Sequence, residues 1–413
     1  MQFEIAEVTL VPGIAGYWIQ DQPAVQTGAK RDGFFFADKP LSPAFREVRE
    51  PAYSYCVLLR LGDGEIVTGD CVTVVDIAYA DRPLPLRHEN IPAVEKLLKK
   101  LFERKIFSSF RTAAAVLEEP AAPGIALPVA YGFSQALLAA AAHASGTTMT
   151  EVIQSEFNRP KATAVPGFAT VCEGDPRTNV DKVIARRVAM FPHCGIQRKE
   201  EVDSLPEYVT WMLGRIRKYG GEGYKPDLHI DFHSMLGRLL DNDMDAVCDF
   251  LGRISDLASP YQVYFEDPLL AASGSEAREN MQKLRRRFDS GGLGCRLIAD
   301  EWANSPGRVA EFAADQAAHA IQIKMPDNGN LLSTIEAVQA CQRHGVLDYL
   351  GGSVNETDIS ARVSTHVGLA LGVWRMLAKP GKGLDEGLMI MTNELARTCA
   401  CLGIPGPYTP SAH

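Results

Sequence analysis

From about residue 161 onward, short apolar runs alternate with longer amphipathic ones. The short runs are ATAVPGFAT, RRVAMFPH, DLHIDFH, YQVYFED, CRLIADE, AIQIKMPD and VLDYLGGS. Between them, segments such as PEYVTWMLGRIRKYG, DMDAVCDFLGRISDLA and LSTIEAVQACQRHG carry apolar residues at helical spacing. Repeated strand–helix units imply a parallel sheet, and seven or eight of them point to a closed α/β barrel of the TIM type. The pattern shows no solenoid repeat, and no glycine-rich dinucleotide or phosphate loop follows any strand.

The first 160 residues follow a different, α+β grammar. YSYCVLLRL and EIVTGDCVTVV flank GDG, which predicts a β-hairpin. PAVEKLLKKLFERK predicts a helix with Pro92 in its first turn. IALPVAYGFSQALLAAAAHASG is the most apolar stretch, but Pro128, Ser134 and Gln135 interrupt it, so it reads as a buried helix and not a membrane span. Residues 21–50 have no clear period and read as a long loop, in which KRDGFFF marks a candidate lid. We therefore divide the chain at 1–160 and 161–413, as its length of 413 residues also favours.

Composition narrows the function class. A net charge of −9 disfavours a polyanionic partner such as nucleic acid. Nine cysteines without a CxxC pair read as free thiols in a reducing compartment, and the N-terminal residues lack a secretory pattern, so a cytoplasmic location is expected.

In a (β/α) barrel, the C-terminal strand ends converge on one face. The ends of four successive runs carry Asp231, Glu266, Asp300 and Lys324. Each carboxylate alone is readily explained as a cap on the following helix, and the lysine as a solvated strand end. As a set they are harder to explain so, because three converging carboxylates repel unless a cation joins them. Mg2+, with oxygen ligands and positions left for substrate, fits that role. Lys324 beside such a cation, with its pKa lowered toward the working pH, would serve as a general base, the arrangement known for enolase-superfamily sites. His193 ends an earlier run and is a candidate second acid–base group; a packed loop histidine is the plainer reading. His229, Asp231 and His233 alternate onto one strand side and offer a zinc-hydrolase alternative, which leaves Glu266, Asp300 and Lys324 without a joint role.

HIDFH, ADEWANS, QIKMPD, GGSVNETD and KPGKGLDEG, taken in order, resemble the signature stretches of the 3-methylaspartate ammonia-lyase family in the enolase superfamily. The resemblance extends from VPGIAGYW and DGFFF near the start. It implies an enolase-like (β/α)7β barrel under an N-terminal α+β capping domain, a homodimer, Mg2+ and activation by K+. The implied reaction removes ammonia from (2S,3S)-3-methylaspartate to give mesaconate. Asp231, Glu266 and Asp300 would hold the metal, Lys324 would take the C3 proton, and His193 would act on the other face. Gln322 matches a substrate-binding glutamine. Thr170 stands where the family has another glutamine, and Ser353-Val354 where it has Thr-Cys, which leaves a different C4 dicarboxylate or another substituted aspartate as an alternative substrate. Dehydratases, racemases and epimerases of the same superfamily remain an alternative, as does a relative whose site has decayed. Asp385, Glu386, Lys30 and Arg31 receive no firm role.

Overall fold

Eight parallel strands close into a barrel in sequence order: Gly167–Ala169, Met190–Gly195, Asp227–Asp231, Val263–Glu266, Cys295–Ala299, Ala320–Ile323, Leu347–Leu350 and Arg375–Leu377. The computed structural model describes residues 2–77, 80–82, 84–118, 124–381 and 384–407. Each connection between successive strands carries at least one helix, and a further helix, Leu384–Leu402, follows the last strand. Both faces of such strands are covered, which is why Val263–Glu266 is buried at every position and the runs show little alternation.

Alternation returns when the two sides are separated. Val263, Phe265, Leu297, Ile321 and Ile323 join the large core packed by the helices. Ala169, Met190, Tyr264, Ile298, Ala320, Tyr349 and Leu377 form a separate cluster, one residue from each of seven strands, filling the barrel interior. The third strand contributes His229 instead, fully buried and edge-on to Tyr349 at 5.8 Å between ring centres. Because side chains two apart on a strand share a side, this layer fixes what stands above it.

The seven apolar runs each contain a barrel strand. Arg375–Leu377 escapes that reading, since three residues beside Trp374 carry too little pattern. The N-terminal domain forms an antiparallel sheet in which Phe3–Asp21 pairs with Arg49–Leu61, and the latter with Ile66–Cys71 across the predicted hairpin. The helix at Pro92 runs from Ile91 to Phe102 and stops short of Lys105. Arg104 takes a left-handed conformation there, and Lys105–Phe107 leaves to pair with the first strand. The alanine-rich segment is a helix, Leu127–Ser145, buried along most of its length. The expected loop at 21–50 is partly ordered: Gln22–Gln26 is a short helix, and Arg31–Asp32 pairs with Phe35–Phe36 as a small hairpin.

A polar cluster ties the two parts together behind the barrel. Thr150 of the N-terminal domain meets His366 Nδ1 at 2.9 Å, and His366 Nε2 meets Glu394 Oε1 on the last helix at 3.1 Å. Arg362 and Arg397 donate to Glu394 Oε2 at 3.0 and 2.7 Å. Burial pushes the Glu394 carboxyl up, but the bonds from His366 and Arg397 win and hold it down to about 2. Its folded value thus lies below the ordinary carboxylate value of about 4.3, so the stabilisation is full above that pH and is lost as pH falls toward 2. Glu394→Gln should remove about 1–3 kcal/mol at neutral pH and flatten the acid limb of a thermal-stability profile. A profile as steep as that of the wild type would show that this carboxylate does not drive the acid loss.

Candidate active site

The interior layer dictates the site. Two residues beyond His229, Tyr264, Ile298 and Ala320 stand Asp231, Glu266, Asp300 and Gln322, with Lys324 one alternation further along the sixth strand's path. Asp231 and Glu266 are register partners on neighbouring strands. His193 lies on the second strand, diametrically opposite the sixth in an eight-stranded ring. It sits in a bulge: Pro192 pairs with His229 and Cys194 with Ile230, leaving His193 out of the ladder with φ at 43°. A small cleft of about 80 Å³ collects His193, Asp231, Asp300, Gln322 and Lys324, and the N-terminal domain closes it with Gln20 and Val74–Asp76. Past Gln20, Glu173 and Gln197 it adjoins a wider chamber of about 720 Å³ lined in part by Arg31 and Arg49.

Each carboxylate has its own donor. Glu266 Oε2 lies 2.7 Å from His229 Nε2, and its Oε1 accepts from Gln322 Nε2 at 3.0 Å. Burial pushes the His229 imidazole down to about 3. Asp231 Oδ1 accepts the His233 backbone N–H at 3.0 Å, and its Oδ2 lies 2.9 Å from His233 Nδ1. Lys324 Nζ is 2.6 Å from Asp300 Oδ2 and 3.5 Å from Glu301 Oε1. His193 Nε2 stands 3.8 Å from both Asp231 Oδ2 and Glu266 Oε1, and its Nδ1 is 3.4 Å from the Tyr349 hydroxyl.

Charge is crowded here beyond what these pairs neutralise. Burial raises the Glu266 carboxyl above its ordinary value, and Asp231 and Asp300 push it further. Asp300 is also raised, by burial first, and its Oδ1 is buried without a hydrogen-bond partner. Burial lowers the Lys324 ammonium, yet Asp300 and Glu301 outweigh it and hold the proton above the usual lysine value. Mutually repelling hard oxygen donors and an orphaned buried acceptor are a donor set that fits a divalent cation.

A surrounding shell of buried charge is not predicted from the sequence. Arg82, from the N-terminal domain, pairs with Glu301 and, at 2.9 Å, with Asp327; all three are almost completely buried. Asp267 accepts the backbone N–H of Glu301 at 2.6 Å and of Asp300 at 3.3 Å, fixing the strand end that carries both acids. His233, held up to about 10 by Asp231, Glu301 and Asp76 against the opposing pull of burial, adds a cation beside them. Glu301 adjoins Asp300 in the ADEWANS stretch, the one sequence signal pointing to this shell; nothing local marks Arg82.

Residues 161–403 match the family model described as methylaspartate ammonia-lyase C-terminus, and residues 3–158 match methylaspartate ammonia-lyase N-terminus. The methylaspartate ammonia-lyase of Clostridium tetanomorphum is 37% identical over 412 residues, covering 97% of this chain and 99% of the relative. This chain belongs to the methylaspartate ammonia-lyase family. The crystal structure of the Clostridium tetanomorphum enzyme as its Mg complex superposes with a TM-score of 0.88 at 35% identity, covering 97% of this chain and 99% of that one. That of the Citrobacter amalonaticus methylaspartate ammonia-lyase containing (2S,3S)-3-methylaspartic acid gives 0.93 at 32%, covering 97% and 100%. A muconate cycloisomerase from Pseudomonas fluorescens, at 18% identity and TM-score 0.59, shares the enolase-like fold.

Within this methylaspartate ammonia-lyase frame, Ser353 and Val354 line the cleft, and Ser353 Oγ accepts the Asn355 N–H at 3.1 Å. Thr170 does not. It is fully buried, with its hydroxyl 4.0 Å from Cys172 Sγ. Ala169 faces the barrel interior, so alternation turns Thr170 away and brings Val171, with Glu173 beyond it, to the cleft wall. The two histidines of the zinc alternative face different acids, His229 towards Glu266 and His233 towards Asp231. Among the described residues, ligand atoms within 4.8 Å of one another occur in two triads, His193–His229–Glu266 and Asp76–His233–Glu301, which separate His229 from His233. Asp231, Glu266 and Asp300 do not converge that tightly, consistent with a separate donor on each. Arg31 reaches the outer chamber, whereas Lys30 does not line it. Asp385 pairs with Lys182 at 2.5 Å on the surface and Glu386 is exposed; Lys382 and Gly383 of the same stretch lie outside the described residues. Arg82→Met would leave Glu301 and Asp327 buried without their cation, and urea unfolding should show a loss of about 3–5 kcal/mol. A loss below about 1 kcal/mol would mean that the pair is dispensable to the fold.

Proposed function

We propose that this protein is a Mg2+-dependent carbon–nitrogen lyase that eliminates ammonia from (2S,3S)-3-methylaspartate to give mesaconate. The carrying observation is the placement of Lys324 and His193 at opposite strand ends of one cleft, with the acids Asp231 and Asp300 on its wall and Glu266 buried beside them. Lys324 takes the proton from C3, the freed electron pair forms the C2–C3 double bond, and the C2–N pair leaves with ammonia. His193 is the acid–base group on the other face of the substrate, with Tyr349 beside its Nδ1. Gln322, Ser353 and the backbone N–H of Val354 orient the substrate. Thr170, turned from the cleft, does so at most through its neighbours.

Asp231, Glu266 and Asp300 would hold the Mg2+. Bound there, the cation offsets the charge by which Asp300 retains the Lys324 proton and takes up the negative charge that gathers on a substrate carboxylate. Arg82 and His233 keep Glu301 engaged. The hairpin around Phe34 is the cover over the outer chamber, residues 1–160 are the capping domain and 161–413 the catalytic one. K+ activation and a homodimeric assembly, in line with the family resemblance, and a cytoplasmic location, in line with the free cysteines, complete the reading.

A second reading keeps the machinery and changes the substrate. Val171 and Glu173 on the wall, in place of a glutamine amide, favour it for another substituted aspartate or C4 acid. Ultraviolet detection of the unsaturated diacid from 3-methylaspartate with Mg2+ and K+ tests the first reading; Lys324→Ala should lower turnover at least about a thousandfold while retaining fold. Persistent solvent-deuterium exchange at C3 in that variant would remove Lys324 as the base. Asp300→Asn should weaken Mg2+ binding by calorimetry at least about tenfold, and unchanged affinity would strike Asp300 from the ligands. A folded wild type that binds Mg2+ yet forms no mesaconate would select the second reading.

A further inference from the structure

Lys379, just past the last barrel strand, is fully buried and has no part in the chemistry above. A buried ammonium is costly unless partners replace water. Its Nζ donates to the Gly351 carbonyl and lies 3.5 Å from Glu356 Oε1. Glu356 is buried too, and its Oε2 accepts from the Tyr131 hydroxyl, on the alanine-rich helix of the N-terminal domain, at 2.9 Å. Lys379 therefore touches the loop that follows the seventh strand at two points, Gly351 and Glu356, and Glu356 carries the contact on to Tyr131.

That loop is the cleft wall. Gly351 packs so closely on Gln322 that a Cβ would collide with its side chain, and Gly352 at φ +145° leaves no room for one against Lys379. Ser353 and Val354 follow directly into the cleft. Beyond them three more bonds, besides that of Tyr131, join the loop to the N-terminal domain. Gly16 N–H donates to Asn355 O at 3.2 Å, Asn355 Nδ2 to Val74 O at 3.2 Å, and Thr357 Oγ1 to Asp70 Oδ2 at 2.6 Å.

We infer that Lys379 is a positioning residue, which pins the 351–357 loop between Gln322 and Tyr131 so that seating of the N-terminal domain and recognition of substrate by Ser353 and Val354 are one event. The inference rests on reading the cleft as the substrate site. Lys379 touches no reacting atom; it acts through the backbone of Gly351.

The test uses the full chain with Mg2+. Lys379→Met/Glu356→Gln removes both charges together, which avoids an uncompensated buried ion, and Tyr131→Phe removes only the hydroxyl. Hydrogen–deuterium exchange should be at least about tenfold faster at amides 351–357 in the double variant, and faster at 12–17, with the strands bearing Asp231 to Lys324 still protected. Mg2+ affinity should stay within about twofold, while KM for 3-methylaspartate rises at least about tenfold and kcat falls less. Unchanged loop exchange with unchanged KM would overturn the inference, as would a fall in kcat at constant KM. If the double variant does not fold, loop exchange in Tyr131→Phe decides alone, an increase supporting the inference and wild-type protection overturning it. Absence of turnover in the wild type would sink the proposed substrate without touching the exchange result.

Discussion

Like charges brought together out of water are the constraint around which this molecule is arranged. Alternation along adjacent strands puts Asp231, Glu266 and Asp300 just above a barrel interior of apolar side chains, where carboxylates repel and solvation is scarce. Everything around them answers that problem. Gln322 donates to Glu266 and His229 contacts it, His233 flanks Asp231, and Lys324 pairs with Asp300. Glu301 and Asp327 then require Arg82, so the N-terminal domain is bound to the barrel by the electrostatics of the site itself.

The legible part of this was the part written in strand periodicity. A residue at the end of a short apolar run is placed by topology alone, so Asp231, Glu266, Asp300 and Lys324 emerge without any tertiary knowledge. Thr170, named through the family resemblance, is turned from the cleft, because the interior packing of Ala169 decides which side of that three-residue strand faces inward. Arg82 and Lys379 were invisible for another reason. A charged residue in a loop looks solvated in sequence, and its burial depends on partners far along the chain, Glu301 for one and Glu356 for the other. The eighth strand was missed because three residues carry no period.

The expected lysine base also acquires a physical condition. In the protein's own field Lys324 is held protonated by Asp300 and Glu301, the reverse of what a base needs. A charge-neutralising ligand on Asp300 and the reactivity of Lys324 are thereby linked, and the orphaned Oδ1 of Asp300 is where that link would be made.

The bulge at His193 carries a different consequence. With φ at 43°, the backbone there disfavours β-branched side chains, and beside glycine it is asparagine, aspartate and histidine that are enriched in that region. Of these, only histidine titrates near neutrality. The shape of the main chain therefore narrows the choice of side chain at this seat independently of any chemistry performed there.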